Sequence, residues 1–389
     1  MIDEEIPFDI YYLLSPLTAA DWPLVRDIFL RVEKSVVGDN QTLSRALVKS
    51  GIVSVGESGA KRLRNDDDTT ICEKLLPIIS IAQERVAEGL QRFRIDHAGL
   101  AFRVEVGRNA AGHTLMLRVL PHEAPSLKQL KLPPNVQTLF LGRSMLEGGL
   151  ILIAGHLGGG KTTTASAIVR SRLEVYAGHA QTVEYPCELP LQGVWGKGVC
   201  MQRPVEAIDA YEPPSDSFFR ALIGTLRLFP AIPCGTILMA GEIPDSRTAI
   251  EILKAAASGH LVIATINARS AVDALRIMAM LCAPGGDNLD PEAAREMLAV
   301  ALKGVWCQRL SWHNQGPDWN RCEISGDLIW SGESVARAIR RGNFESLDNI
   351  AKKQNDTIAN MRQDRPLGAE EIEKLLWRAE TPKLSLDRG

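Results

Sequence analysis

Read as a succession of apolar and polar positions, the chain changes character about a third of the way along. Behind Asp21, an N-cap candidate, and Pro23, the residues Val25, Ile28, Phe29, Val32 and Val36 recur at helical spacing, and Gly38 is a natural stop. That spacing predicts an amphipathic helix over 21–38. Residues 59–68 set a basic cluster beside an acidic one with almost nothing apolar, which predicts a solvated loop. A second helix is expected over 78–91. Two strand-like runs, 100–106 and 114–120, flank the polar, glycine-bounded stretch 107–113 and read as a hairpin. Pro121, Pro125, Pro133 and Pro134 then punctuate a polar segment that reads as an interdomain linker.

From Gly149 onward, short apolar runs at 150–154, 181–184, 237–240 and 261–265 alternate with helix-competent segments. Strands of that kind, buried on both faces and separated by helices, belong to a mainly parallel sheet in an α/β domain. Beyond Gly285 the chain reads as helical and polar. It closes on a helix whose apolar face, Ile372, Leu375, Leu376 and Ala379, is expected to pack on the body. No internal repeat is present.

Composition narrows the class without naming a function. At roughly 150 residues per domain, 389 residues suggest two domains or three. Basic residues number 44 and acidic ones 47, a net charge of −3, so no global field draws the molecule to nucleic acid or an anionic membrane. Hydrophobic residues at 45% and charged residues at 23% are ordinary for a globular chain and argue against disorder. Cysteines 72, 187, 200, 234, 282, 307 and 322 contain no Cys-x-x-Cys pair, so neither a disulfide framework nor a zinc ribbon is indicated. The acidic start MIDEEIPFDIYYLL does not read as a signal peptide. Apolar runs such as 149–155 fall far short of the roughly 18 to 20 residues that span a bilayer. A soluble cytoplasmic protein is expected, touching a membrane only through a partner.

The candidate chemistry begins at Gly155-His156-Leu157-Gly158-Gly159-Gly160-Lys161-Thr162, which fits Gly-x-x-x-x-Gly-Lys-[Ser/Thr] between an apolar strand and a helix-competent segment. Triphosphate needs backbone N–H groups converging on its oxygens. Gly155, Gly158, Gly159 and Gly160 allow that approach without Cβ clashes, and a helix N-terminus adds a positive dipole end. Lys161 would reach the β- and γ-phosphates, the Thr162 hydroxyl would bind Mg²⁺, and Thr163 completes the binding set, so ATP and Mg²⁺ are the expected ligands. Hydrolysis also needs a carboxylate. The apolar strand 237–240 ends in Gly241-Glu242, making Glu242 the candidate to orient or activate water. Glu184, at the end of 181–184, is the second acidic candidate and could act on water or on the metal shell.

Five blocks taken together resemble the secretion ATPases, the motors of type II secretion, type IV pili and conjugative type IV secretion. They are the phosphate loop at 155–164, Thr182-Val183-Glu184-Tyr185-Pro186-Cys187-Glu188, Gly241-Glu242-Ile243-Pro244-Asp245, Gly259-His260-Leu261-Val262-Ile263-Ala264-Thr265, and Gln308-Arg309-Leu310, the last placed in the closing helices. The resemblance covers roughly 98–363. It implies an N-terminal PAS-like α+β domain (1–122), a linker (123–135), a RecA-like P-loop core (136–285) and a C-terminal helical region (286–389). It carries over His260 as a catalytic candidate, and Arg103, Arg118 and Arg227 as neutralisers of phosphate charge.

It also implies a homohexamer at the cytoplasmic face of the inner membrane that works on a membrane-embedded platform protein. Departures accompany the matches. Pro244 replaces the family's arginine and Asn267 its second histidine, the acidic residue before the Walker B strand is missing, and 231–235 look inserted. Asn can donate a hydrogen bond but does not titrate near neutral pH. With Lys161, Thr162, Glu184 and Glu242 in place, an active ATPase is expected. The alternatives are a RecA-like nucleic-acid motor in plasmid transfer, disfavoured by mild acidity and 5% aromatic content, and a nucleotide-dependent regulator that does not hydrolyse.

Overall fold

The computed structural model describes residues 25–33, 52–55, 60–62, 69–109, 112–205, 213–228, 235–283, 290–313, 321–361 and 367–380. Contacts divide the chain into two compact units, with the break after His122.

Among the described residues, the first unit is an antiparallel sheet with one helix. Its strands are β1 (Val25–Glu33), β2 (Ile52–Val55), β3 (Ala60–Arg62), β4 (Arg92–His97), β5 (Leu100–Asn109) and β6 (Gly112–Leu120), in the order β3-β2-β1-β6-β5-β4. The expected hairpin is there, and its strands run on until Asn109 faces Gly112. Two expectations are corrected. Residues 25–33 form a central strand and not a helix: β1 pairs with β2 on one side and β6 on the other. Ladder partners on both edges outweigh a spacing that suits either period, and Val, Ile and Phe favour strands. The remainder of the expected helix, 21–24 and 34–38, lies outside the described residues. Within the expected loop at 59–68, Ala60–Arg62 pairs with β2 as an edge strand; charged residues suit such an edge. Helix α1 (Thr69–Ala87) starts earlier than its periodicity indicates and supplies Ile78, Ile79 and Ala82 to a core with Phe93, Ile95, Phe102, Val104, Leu115 and Leu117.

The second unit is built on an eight-stranded sheet. After α2 (Pro134–Phe140) come β7 (Gly149–Gly155), α3 (Lys161–Tyr176), β8 (Gly178–Glu184), β9 (Gly193–Trp195), β10 (Gly198–Pro204), α4 (Pro214–Leu228), β11 (Thr236–Ala240), α5 (Ser246–Ala257), β12 (Leu261–Asn267), α6 (Ala271–Leu281) and α7 (Pro291–Ala301). Then follow β13 (Leu302–His313), β14 (Arg321–Trp330), α8 (Glu333–Arg340), α9 (Phe344–Asn360) and α10 (Ala369–Glu380). The sheet order is β14-β13-β7-β12-β11-β8-β10-β9, parallel from β13 through β10.

The four expected strands are therefore found, and the reason for their continuous apolarity is visible. Leu150, Leu152 and Ala154 of β7 enter one core, while Ile151 and Ile153 enter the core on the other face. The stretch past 285, expected to be helical, carries α7 to α10 but also contributes two long strands that were not expected: β13 lies parallel to β7 and buries Val305, Trp306 and Cys307. The final helix packs as expected, with Ile372 and Leu376 buried against α2 and α9.

Ile28 is wholly buried at the centre of the first unit's sheet. Ile28→Ala should cost about 2 to 5 kcal/mol of that unit's stability, read as a lowered denaturant midpoint. A cost below about 1 kcal/mol would contradict the central-strand placement.

Candidate functional site

The sheet's strands β7, β12, β11 and β8 run the same way, so their C-terminal ends share one edge, and the chemistry-bearing residues gather there. β7 ends at Gly155 and α3 begins at Lys161. The connecting loop needs glycine: φ is +150° at Gly155, +75° at Gly158 and +74° at Gly160. A Cβ on Gly155 would stand 2.7 Å from the Gln308 carbonyl oxygen, and one on Gly160 would stand 3.1 Å from Gln308 Nε2. Gln308, buried on β13, holds the loop in place. Its Nε2 donates to the Gly159 carbonyl, and its Oε1 accepts from Thr164 Oγ1 at 2.7 Å.

The Gly159 N–H donates to the His156 carbonyl at 3.0 Å, closing a turn, and Lys161 Nζ donates to that same carbonyl at 2.8 Å. An ammonium, a glycine-rich loop and the α3 N-terminus thus come together at the end of β7, an arrangement suited to an anion. Burial lowers the Lys161 pKa, while the charges of Cys307 and Glu188 oppose the shift. Thr162 and Thr163 follow in the first turn of α3, half-buried.

Two carboxylates stand at the same edge. The Gly241 N–H donates to the Val183 carbonyl at 2.9 Å, and Thr265 Oγ1 donates to the Gly241 carbonyl at 2.5 Å. These bonds hold the turn that delivers Glu242. A Cβ on Gly241 would lie 3.2 Å from Glu184 Cγ, so the β11 end abuts Glu184. Because β12 lies between β7 and β11, Glu242 stands two strands, roughly 10 Å, across the sheet from the phosphate loop. Glu184 is 1% exposed. Its Oε1 accepts from Thr182 Oγ1 at 2.5 Å and from Gln202 Nε2 at 3.0 Å, whereas the buried Oε2 has no side-chain donor. Burial raises the carboxyl to about 7 against hydrogen bonds from Thr182, Gln202 and the Glu188 backbone, and the Glu188 charge adds to the rise.

Other expected residues stand elsewhere. His260 immediately precedes β12, whose Leu261 pairs with Gly149 at the start of β7; the β12 residue opposite Gly155 is Asn267. His260 is thus at the opposite edge of the sheet, roughly 20 Å along the strand from the phosphate loop of its own chain. Its assignment to that site is corrected: strand direction separates the two ends of a motif that is contiguous in sequence. Burial lowers the His260 pKa. Arg227 is exposed in the last turn of α4. Arg103 and Arg118 face one another across β5 and β6 in the first unit, and Arg103 Nη2 lies 3.3 Å from Glu105 Oε1.

Two residues were not assigned from sequence. Gln308 sat in a recognised block but was expected on a helix. Glu188 was quoted in its motif without a role, yet its charge acts on both Lys161 and Glu184.

Residues 43–336 match the family model described as Type II/IV secretion system protein. Among similar chains, a twitching motility protein of Neisseria gonorrhoeae is 28% identical over 250 residues, 64% of this chain and 60% of its own length. The type II secretion system protein HxcR of Pseudomonas aeruginosa is 31% identical over 316 residues, 75% of this chain and 61% of its own. The match thus spans about three fifths of these curated relatives. Among solved structures, the pilus retraction motor PilT with bound ADP superposes with a TM-score of 0.62 at 22% identity, over 96% of this chain and 97% of that one. The ATPase DotB of Yersinia pseudotuberculosis gives 0.60 at 17%, over 91% and 90%. These two likenesses establish the fold.

The Glu184 environment makes a prediction about stability. With a folded pKa of about 7, above the ordinary 4.5, the folded state binds the proton more tightly than the unfolded state. Stability therefore falls as pH rises from 4.5 to 7 and stays lower above that window. Glu184→Gln, permanently neutral, should stabilise the nucleotide-free protein at pH 8 by at most about 3 kcal/mol relative to its effect at pH 5. Thermal melts of both proteins at the two pH values measure this; equal differences at pH 5 and pH 8 would refute it.

Proposed function

The chain belongs to the Type II/IV secretion system protein family, and from that premise we propose that it is an ATP-hydrolysing motor of a pilus or secretion machine. The observation that carries the reading is the placement of one glycine-rich anion cradle and two strand-end carboxylates, Glu184 and Glu242, on the same edge of a parallel sheet. The fit of nucleotide rests on that cradle, where a Cβ at Gly155 or Gly160 would collide or crowd. Among the described residues no three His, Cys, Asp or Glu side chains group around a metal position. Mg²⁺ would therefore be held by Thr162 and the phosphates together, as expected for a cation that keeps most of its shell outside the protein. When bound, it would spread the charge that develops on the phosphates.

In the chain's own residues, the loop N–H groups and Lys161 bind and orient the phosphates, and Glu242 orients the attacking water and takes its proton. Glu184 and Glu188 set the local charge. Arg103 and Arg118, in the N-terminal PAS-like domain, serve as neutralisers of phosphate charge in the working assembly, a homohexamer. His260 stands on the far edge of the RecA-like core, where any contact with nucleotide is one with a neighbouring subunit's site, and Arg227 serves as a further neutraliser of phosphate charge. Release of product converts a local charge change into rigid-body rotation. Among the described residues no helix is long and apolar enough to cross a membrane; force passes to an inner-membrane platform protein. The departures at Pro244 and Asn267 favour one second reading, a nucleotide-dependent regulator without turnover.

Steady-state phosphate release decides between these readings. Glu242→Gln should keep ATP affinity within about threefold while losing at least 100-fold in kcat, and Lys161→Ala should weaken ATP binding itself. Equal turnover in the parent and Glu242→Gln proteins would reject the water-orienting role, and no turnover in the parent hexamer would favour the regulator.

A further inference from the structure

Gln202 lies on β10, directly opposite Thr182 in the register with β8 and diagonal to Glu184. Its amide makes four hydrogen bonds. Nε2 donates to Glu184 Oε1 at 3.0 Å and to the Leu189 carbonyl at 2.8 Å; Oε1 accepts the N–H groups of Leu191 at 2.7 Å and Gln192 at 2.8 Å. Both amide protons and both lone pairs are used, which only Gln or Asn can achieve, and Asn is one methylene shorter. The Gln202 backbone N–H in turn donates to the Gln192 side-chain oxygen at 2.7 Å. One side chain therefore binds the end of β8 to residues 189–192, the far end of the segment that carries Glu188.

The asymmetry at Glu184 shows what this does. Thr182 and Gln202 both donate to Oε1, while Oε2 is buried with no side-chain donor. A buried carboxylate oxygen left in that state is costly unless something else meets it. We propose that Gln202 is a positioning residue for hydrolysis: by fixing Oε1 it turns Oε2 of Glu184 toward the nucleotide site, and by tying 189–192 it holds Glu188 at a set distance from Glu184 and Lys161. This rests on the ATPase reading above and on Glu184 taking part in it.

A purely structural glutamine would change stability and ATP binding together, whereas a positioning residue acts through one carboxylate. Gln202→Met keeps the length and loses all four bonds. Gln202→Glu keeps an acceptor for the two loop N–H groups and loses the donors, so it separates loop tethering from contact with Glu184. Turnover, KM for ATP and binding of a fluorescent ADP analogue are to be measured on the full chain for both variants, for Glu184→Gln, and for each double variant.

Both Gln202 variants should lower kcat at least tenfold with ADP affinity within about threefold. In the Glu184→Gln background neither should lower kcat further. Additive losses in the double variants, or unchanged kcat in the single Gln202 variants, would overturn the positioning role. Unchanged kcat in Glu184→Gln alone would overturn it too, by removing Glu184 from the reaction. If Gln202→Met does not fold, the Gln202→Glu series gives the same decision.

Discussion

A phosphate group is held tightly only where several backbone N–H groups point at one place and no side chain stands between, and that demand governs the second unit. A loop free of side chains is also free to move, so it needs an anchor. Gln308 provides one, joining the Gly159 carbonyl to Thr164 across the β13–β7 pair. The far half of α3 is anchored as well: Arg170 donates to the Ala124 carbonyl, Ser171 Oγ accepts the Leu127 N–H at 2.9 Å, and Arg172 Nη1 donates to the carbonyls of Phe140 at 2.9 Å and Gly142 at 3.1 Å. Three consecutive residues thus fasten the helix that begins at the phosphate loop to the segment following the first unit. Arg172 is nearly buried, and burial lowers it to about 10, so it stays charged at neutral pH.

Charge at the site is set by burial as much as by sequence. Glu184 sits where a carboxylate is expensive, and its proton affinity is poised near neutrality by opposing causes: desolvation and the Glu188 charge on one side, hydrogen bonds from Thr182, Gln202 and the Glu188 backbone on the other. Lys161 is shifted the opposite way by the same loss of water. Groups poised like this respond strongly to any new charge placed among them, and a triphosphate brings several.

The parallel sheet was legible because its strands are buried on both faces, so continuous apolar runs such as 150–154 leave no other reading. The phosphate loop was legible because glycine spacing is dictated by backbone approach and by nothing else. Residues 25–33 were not legible, since Val25, Ile28, Phe29 and Val32 satisfy a helical spacing as well as a strand, and only the ladder partners in β2 and β6 decide. β13 was hidden by polar residues such as Lys303, Gln308 and Arg309 in its run. The polarity at 308 is itself functional, serving the loop. His260 shows a different limit: its block is continuous in sequence, but a strand carries residues away at about 3.3 Å each, so one end of the block reaches the loop and the other does not.

The central claim is that one edge of this sheet holds triphosphate on the loop 155–162 with Glu242 and Glu184 facing it. A crystal structure with Mg²⁺ and a non-hydrolysable ATP analogue tests it most directly. The account predicts the β- and γ-phosphates within hydrogen-bond distance of the loop N–H groups and Lys161, and a water between Glu242 and the γ-phosphate. Phosphates bound at the His260 edge of the same chain, or Glu242 turned away from the γ-phosphate with no intervening water, would contradict it.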